Sequence, residues 1–193
     1  MVFVTKTGFW FLLTVVLIGV LFIGTAKDDA WFAFPQIEQL VPSNVDSNYA
    51  AQVFFCPEDN CSTQLISHID SAQDEIVIAI YSFTLDEIAD ALIRAKERGV
   101  LIRVIFDNQQ AANQYSEDER LLDAGIPVVI KSGSGYMHNK FIVIDRKKVL
   151  TGSFNYSSNA DTKNDENLIL IISEELAKQY FAEFEELWQE ASE

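Results

Sequence analysis

The chain is poor in cationic side chains. It has 14 Lys and Arg against 29 Asp and Glu, a formal net charge of −15 in 193 residues. Residues 1–26 hold one lysine and no acid, so residues 27–193 carry 13 basic and 29 acidic side chains, a net −16. Such a field repels a polyanion and argues against a general nucleic-acid coat, while a local basic pocket remains compatible with phosphate chemistry. Cysteine is scarce as well, with only Cys56 and Cys61 in the run CPEDNC. Three readings of the pair stay open: a disulfide formed in an oxidising compartment, two free thiols, or a metal site that needs two further ligands. Histidine is equally rare, with only His68 and His138. There is no internal repeat and no low-complexity tract. Hydrophobic residues make up 49%, which excludes a disordered chain. The length suits one well-buried domain and is too short for two large ones.

Charge is wholly missing from residues 7–26, TGFWFLLTVVLIGVLFIGTA. Twenty helical residues at about 1.5 Å each span about 30 Å, the hydrocarbon thickness of a bilayer. The segment is either an uncleaved anchor or a signal peptide cut after Ala26, where Gly24, Thr25 and Ala26 are small. Its length favours the anchor. Lys6 precedes it, and Lys27 follows beside Asp28 and Asp29. The positive-inside rule then puts the N-terminus in the cytoplasm and the rest of the chain outside, anchored to the membrane, or periplasmic or secreted if the segment is cleaved. Residues 27–51 contain Pro35, Pro42 and the polar run 43–48, lack sustained periodicity, and read as a tether. Trp31, Phe32 and Phe34 within it either lie in the membrane interface or pack on the domain.

From residue 52 to 193, strand and helix signals alternate. Strands are expected at 53–55, 76–81, 101–106, 128–130, 141–144 and 148–150, with a further apolar run at 167–172. Helices are expected at 62–72, at 85–98 with Gly99 ending it, and at 117–123. Ser173 can cap a last helix whose Leu176, Tyr180, Phe181, Phe184, Leu187 and Trp188 share one side. That stripe reads as core, with a dimer contact as the alternative. The pattern is one α/β domain, a mixed central sheet flanked by helices.

The chemistry is concentrated in HNKFIVID, residues 138–145, and TGSFN, residues 151–155. His138 and Lys140 stand two apart at the start of an apolar strand, so an imidazole and an ammonium converge on one side. Ser153 and Asn155 are also two apart, after the next strand signal. If the two strands pair as a hairpin, all four side chains meet at one mouth. They offer a nucleophile or base, a point positive charge and neutral donors, which suits a phosphate diester whose oxygens gain charge. Gly152 permits close backbone approach there. His68, on a predicted helix with no lysine two residues on, reads as structural.

These residues resemble the phospholipase D superfamily, whose signature is His-x-Lys, four residues, Asp, six residues, Gly-Ser-x-Asn. Every spacing holds for His138, Lys140, Asp145, Gly152, Ser153 and Asn155. Residues 53–188 are similar to the small single-motif branch, which includes bacterial periplasmic endonucleases, short bacterial phospholipases D and mitochondrial cardiolipin hydrolase. The segments Tyr81-Ser82-Phe83-Thr84 and Asn164-Asp165-Glu166-Asn167 share the likeness. The resemblance implies a metal-independent phosphodiesterase with no cofactor. His138 attacks phosphorus and forms a phosphohistidine, while Lys140, Ser153 and Asn155 hold the phosphate oxygens. Glu166 orients the nucleophilic ring, and Asp145 belongs to the site by holding the motif strands. A second histidine must protonate the leaving oxygen. With one motif per chain, a homodimer supplies it as His138 of the partner. The substrate is a phospholipid, hydrolysed to phosphatidic acid, or alternatively DNA or RNA.

Overall fold

The β-branched and aromatic runs become strands because the sheet they form is covered on both faces. The computed structural model describes residues 50–193; the membrane segment expected at 7–26 and nearly all of the tether expected at 27–51 lie outside the described residues. The first elements are β1 (Ala50–Cys56), α1 (Cys61–Asp70), β2 (Glu75–Ile80), α2 (Asp86–Glu97) and β3 (Leu101–Asp107). Next come α3 (Asn108–Ala111), α4 (Asp118–Asp123), β4 (Val128–Lys131), β5 (Lys140–Ile144) and β6 (Lys148–Gly152). The chain closes with α5 (Ser158–Thr162), β7 (Glu166–Ile172) and α6 (Glu174–Ser192). The seven strands form one sheet in the order β1-β7-β6-β5-β2-β3-β4. β2, β3 and β4 are parallel, while β5, β6, β7 and β1 each run antiparallel to their neighbours. This is the mixed α/β architecture expected from the alternation of signals. The first strand starts at Ala50, two residues before the expected domain boundary.

Period-two alternation divides the core. In β2, Ile76, Ile78 and Ile80 pack with Leu65 and Ile69 of α1 and Ile88 and Leu92 of α2. Val77 and Ala79 point the other way, into a second cluster with Ile105, Phe141, Val143, Val149 and Phe184. α6 covers that second face. Ser173 Oγ accepts from Leu176 N at 3.3 Å and caps it. Tyr180, Phe181, Leu187 and Trp188 pack against the cluster. The α6 stripe therefore packs on the core. Cys56 and Cys61 are joined by a disulfide, their Cα atoms 5.6 Å apart, tying the last residue of β1 to the first of α1.

Strand direction gives the domain two distinct ends. β1, β2, β3 and β6 finish, and β5 and β7 begin, along one edge of the sheet, as the pairs Cys56↔Glu166, Gly152↔Leu168 and Ile80↔Lys140 record. At the opposite edge, Asp145 and Arg146 turn the chain from β5 to β6 with φ of 52° at both residues. The Asp145 carboxylate accepts from the backbone N–H groups of Gln73, Asp74 and Glu75, at 3.1, 2.8 and 3.1 Å. It fixes the approach to β2. Asp145→Ala should therefore cost about 2 kcal/mol, from three lost hydrogen bonds and an L side chain without a polar group in the left-handed region. Urea unfolding checks this, with Asp145→Asn expected to lose less. The rate per folded molecule should not change.

Candidate active site

The edge where β5 begins collects the chemistry. Residues 132–137 lead into it as a loop holding Gly133 and Gly135. Tyr136 is 59% exposed and Met137 is buried. Tyr81 N donates to Asn139 O at 2.9 Å, which extends the β2–β5 ladder one step past Ile80. His138 is thereby presented in the open just beyond the sheet. The Lys140 ammonium donates to His138 O at 3.0 Å and stands 3.3 Å from Nδ1 and 3.4 Å from Nε2 of the same ring. Tyr81 forms one wall: its ring centroid lies 4.4 Å from that of His138, and Lys140 Nζ sits 5.1 Å from the Tyr81 centroid. Tyr136 meets Tyr81 edge-on at 5.9 Å.

The hairpin required to bring Ser153 and Asn155 to this edge is present. β5 and β6 pair with Phe141 opposite Thr151, and Thr151 Oγ1 donates to Lys140 O at 3.0 Å. Gly152 then crosses β7 at very close range. Its φ is +150°, and a Cβ placed there would lie 2.2 Å from Asn167 O. Ser153 N and Phe154 N both donate to that carbonyl, at 3.1 and 3.2 Å. Asn167 N and Nδ2 donate to Ser153 Oγ at 3.1 and 3.3 Å, and Ser153 Oγ donates to Glu166 Oε2. The hydroxyl is thus held from three sides. Asn155 Oδ1 is buried and has no hydrogen-bond partner among the described residues.

Charge at the mouth is sparse. Desolvation lowers the Lys140 pKa from its usual value, and the Glu166 carboxylate opposes that shift. Among the described residues, no three His, Cys, Asp or Glu side chains are grouped to hold a metal ion.

Two of the expected site residues have other partners within the single chain. Glu166 is not bonded to the His138 ring within the chain; its oxygens are taken by Ser153 Oγ and by Asn164 Nδ2 at 3.2 Å. Asp145 lies at the other end of β5, about 16 Å beyond Lys140 at roughly 3.3 Å per residue, where its carboxylate binds the chain entering β2 and does not reach a group reacting at His138. His68 occupies the last turn of α1, at that far end, where burial and then Lys148 lower its pKa. Sequence reasoning gave no role to Asn167 or to the ring of Tyr81, although it marked both segments. It missed Asp107 entirely.

Residues 65–188 match the family model described as cardiolipin synthase, PLD-like domain. The chain belongs to the phospholipase D superfamily. Among curated members it is 40% identical over 126 residues to a phospholipase D of Rickettsia conorii, covering 65% of this chain and 63% of that protein. It is 37% identical over 138 residues to the mitochondrial cardiolipin hydrolase of Xenopus tropicalis, covering 70% of this chain and 66% of that one. Its matched segment thus spans about two thirds of the length of these relatives. Among solved structures, the superfamily member Nuc from Salmonella typhimurium superposes with a TM-score of 0.71 at 33% identity, over 74% of this chain and 95% of that one.

Proposed function

We propose that the chain is a metal-independent phosphodiesterase that works through a phosphohistidine on His138. The observation that carries this reading is the exposed imidazole with an ammonium 3.3 Å away, at the sheet edge where the Ser153 hydroxyl is fixed. A ring nitrogen of His138 attacks phosphorus, and the P–N bond forms as the bond to the leaving oxygen breaks. A protonated imidazole delivers a proton to that oxygen. Water then attacks phosphorus, the P–N bond breaks, and the second imidazole takes the proton from water. Lys140 offsets the charge on the phosphoryl oxygens.

The second imidazole cannot be His68, which is at the wrong end of the sheet. A two-fold copy of the chain supplies it as the partner's His138. Val53 and Phe55, 47% and 58% exposed on edge strand β1, form apolar surface next to Glu166 that a second copy would cover.

Phospholipid is the substrate the charge distribution favours, with phosphatidic acid as product. Most cations lie away from the mouth: Arg94, Lys96 and Arg98 stand at the end of α2, and Arg146, Lys147 and Lys148 at the β5–β6 turn, while Lys163, just before β7, donates to Asn159 Oδ1 at 3.0 Å. Near the site, Lys131 is engaged by Glu190 at 2.8 Å. A nucleic-acid strand gains most of its affinity from a run of cations along its backbone, whereas one lipid head group needs a single cationic site. The apolar segment 7–26 would keep the enzyme at its lipid substrate, with the domain outside the cytoplasm, where the disulfide persists. The alternative, an endonuclease using the same chemistry, rests on the sequence likeness to that branch. The test is the full chain in chelator with labelled phosphatidylcholine, cardiolipin, single-stranded DNA and RNA. Lipid hydrolysis supports the reading, nucleic-acid hydrolysis alone replaces it with the endonuclease, and an absolute need for divalent metal overturns the mechanism.

Activity that needs a charged Lys140 is lost as pH rises through its lowered pKa. Glu166 is the influence that opposes the lowering. Glu166→Gln should therefore move the alkaline limb of the kcat profile to lower pH, and an unmoved limb would show that the two charges are uncoupled.

A further inference from the structure

At the end of β3, Asp107 is 2% exposed and spends its whole carboxylate on backbone donors. One oxygen, Oδ1, accepts from Gln109 N at 2.9 Å and Gln110 N at 3.2 Å, capping α3. The other, Oδ2, accepts from Met137 N at 2.9 Å, across 30 residues of sequence and one residue before His138. The route through α3 also leads to the imidazole. Gln110 Nε2 donates to the Tyr81 hydroxyl at 3.2 Å, and the Tyr81 ring packs on that of His138. The nucleophile follows a loop with two glycines and two exposed serines, which has little of its own to hold it.

We propose that Asp107 is a positioning residue that fixes the His138 imidazole from two sides, by anchoring its backbone at Met137 and by setting the Tyr81 wall through α3 and Gln110. This rests on the reading of His138 as the attacking group. The task suits a carboxylate: three N–H groups converge on it, and it has acceptors only. An asparagine can keep the α3 cap with its Oδ1, but it would turn an amide N–H toward Met137 N–H, where no bond can form. Asp107→Asn therefore removes the anchor with almost no change of shape.

The test follows the two histidine rings of the full chain by NMR with labelled histidine, alongside hydrolysis of a chromogenic phosphodiester. The two signals are assigned with His138→Asn. In Asp107→Asn the His138 signal should broaden or split while that of His68, at the other end of the domain, stays in place. Alongside it, kcat should fall on the order of tenfold to a hundredfold with KM held within about twofold. Should this variant not fold, Asp107→Ser gives the same comparison, since serine can still cap α3 but is too short to bridge to Met137. An unmoved His138 signal overturns the proposal whatever the rate does. So does a shift of both rings together, which would make Asp107 a support of the whole fold. If the unaltered chain hydrolyses no diester, the functional reading fails, and the ring signals still decide the role of Asp107.

Discussion

His138→Asn is expected to lower phosphodiester hydrolysis by about 10⁴-fold or more while leaving the unfolding transition unchanged. The magnitude follows from the nature of the step: without a ring nitrogen to bond phosphorus, the intermediate cannot form, and no neighbouring group substitutes. The stability claim follows from exposure. The imidazole stands in the open, and its packing on Tyr81 and its contact with Lys140 are surface contacts whose loss costs within about 0.5 kcal/mol. Rapid quenching of the unaltered chain in alkaline denaturant during turnover should trap the phosphoryl group on histidine, in a linkage stable to base and labile to acid. A variant that retained its rate, or a quenched enzyme that never carried such phosphate, would remove the covalent mechanism.

Gly152→Ala should have the largest effect on the fold of any single-methyl addition near the site. The added carbon would meet Asn167 O at 2.2 Å and Asn167 Oδ1 at 2.7 Å, and the φ of +150° is one that L side chains rarely adopt. Neither backbone can withdraw cheaply. β6 is held by β5 on one side, and β7 by β1 on the other. The cost should reach about 3 to 5 kcal/mol, a fall of roughly 10 °C in Tm for a domain of this size. Activity should fall further than stability alone accounts for, because Asn167 also holds the Ser153 hydroxyl. A loss under about 1 kcal/mol would mean that β6 and β7 can separate at this point.

Much of this was legible in the chain itself, for identifiable reasons. The strands declared themselves because both sheet faces are buried, so 76–80 and 141–144 read as near-unbroken apolar runs. α2 and α6 declared themselves because each covers one face and keeps a stripe at helical spacing. The four candidate side chains could be placed together because a two-residue period and a hairpin bring 138, 140, 153 and 155 to one edge. What escaped was either short or distant. α3 and α5 have four and five residues, too few for any period to show, and depend on caps from Asp107 and Ser157. The bond from Asp107 to Met137 spans 30 residues and leaves no local pattern. The partner of Glu166 escaped for a different reason. A motif spacing reports which residues share a site but not which of several neighbours a flexible carboxylate will take, and within the single chain Glu166 takes Ser153 Oγ and Asn164 Nδ2.

One covalent detail governs how the domain would respond to force. Everything N-terminal to Ala50 joins it through β1, an edge strand with seven register pairs to β7. A pull along that strand loads those rungs in shear, where they must break together instead of one by one. If they slip, the movement halts at Cys56, which is bolted to α1. Traction on the leading segment would therefore be borne by the strand and the helix behind it before it reached Glu166, Asn167 and the serine they hold.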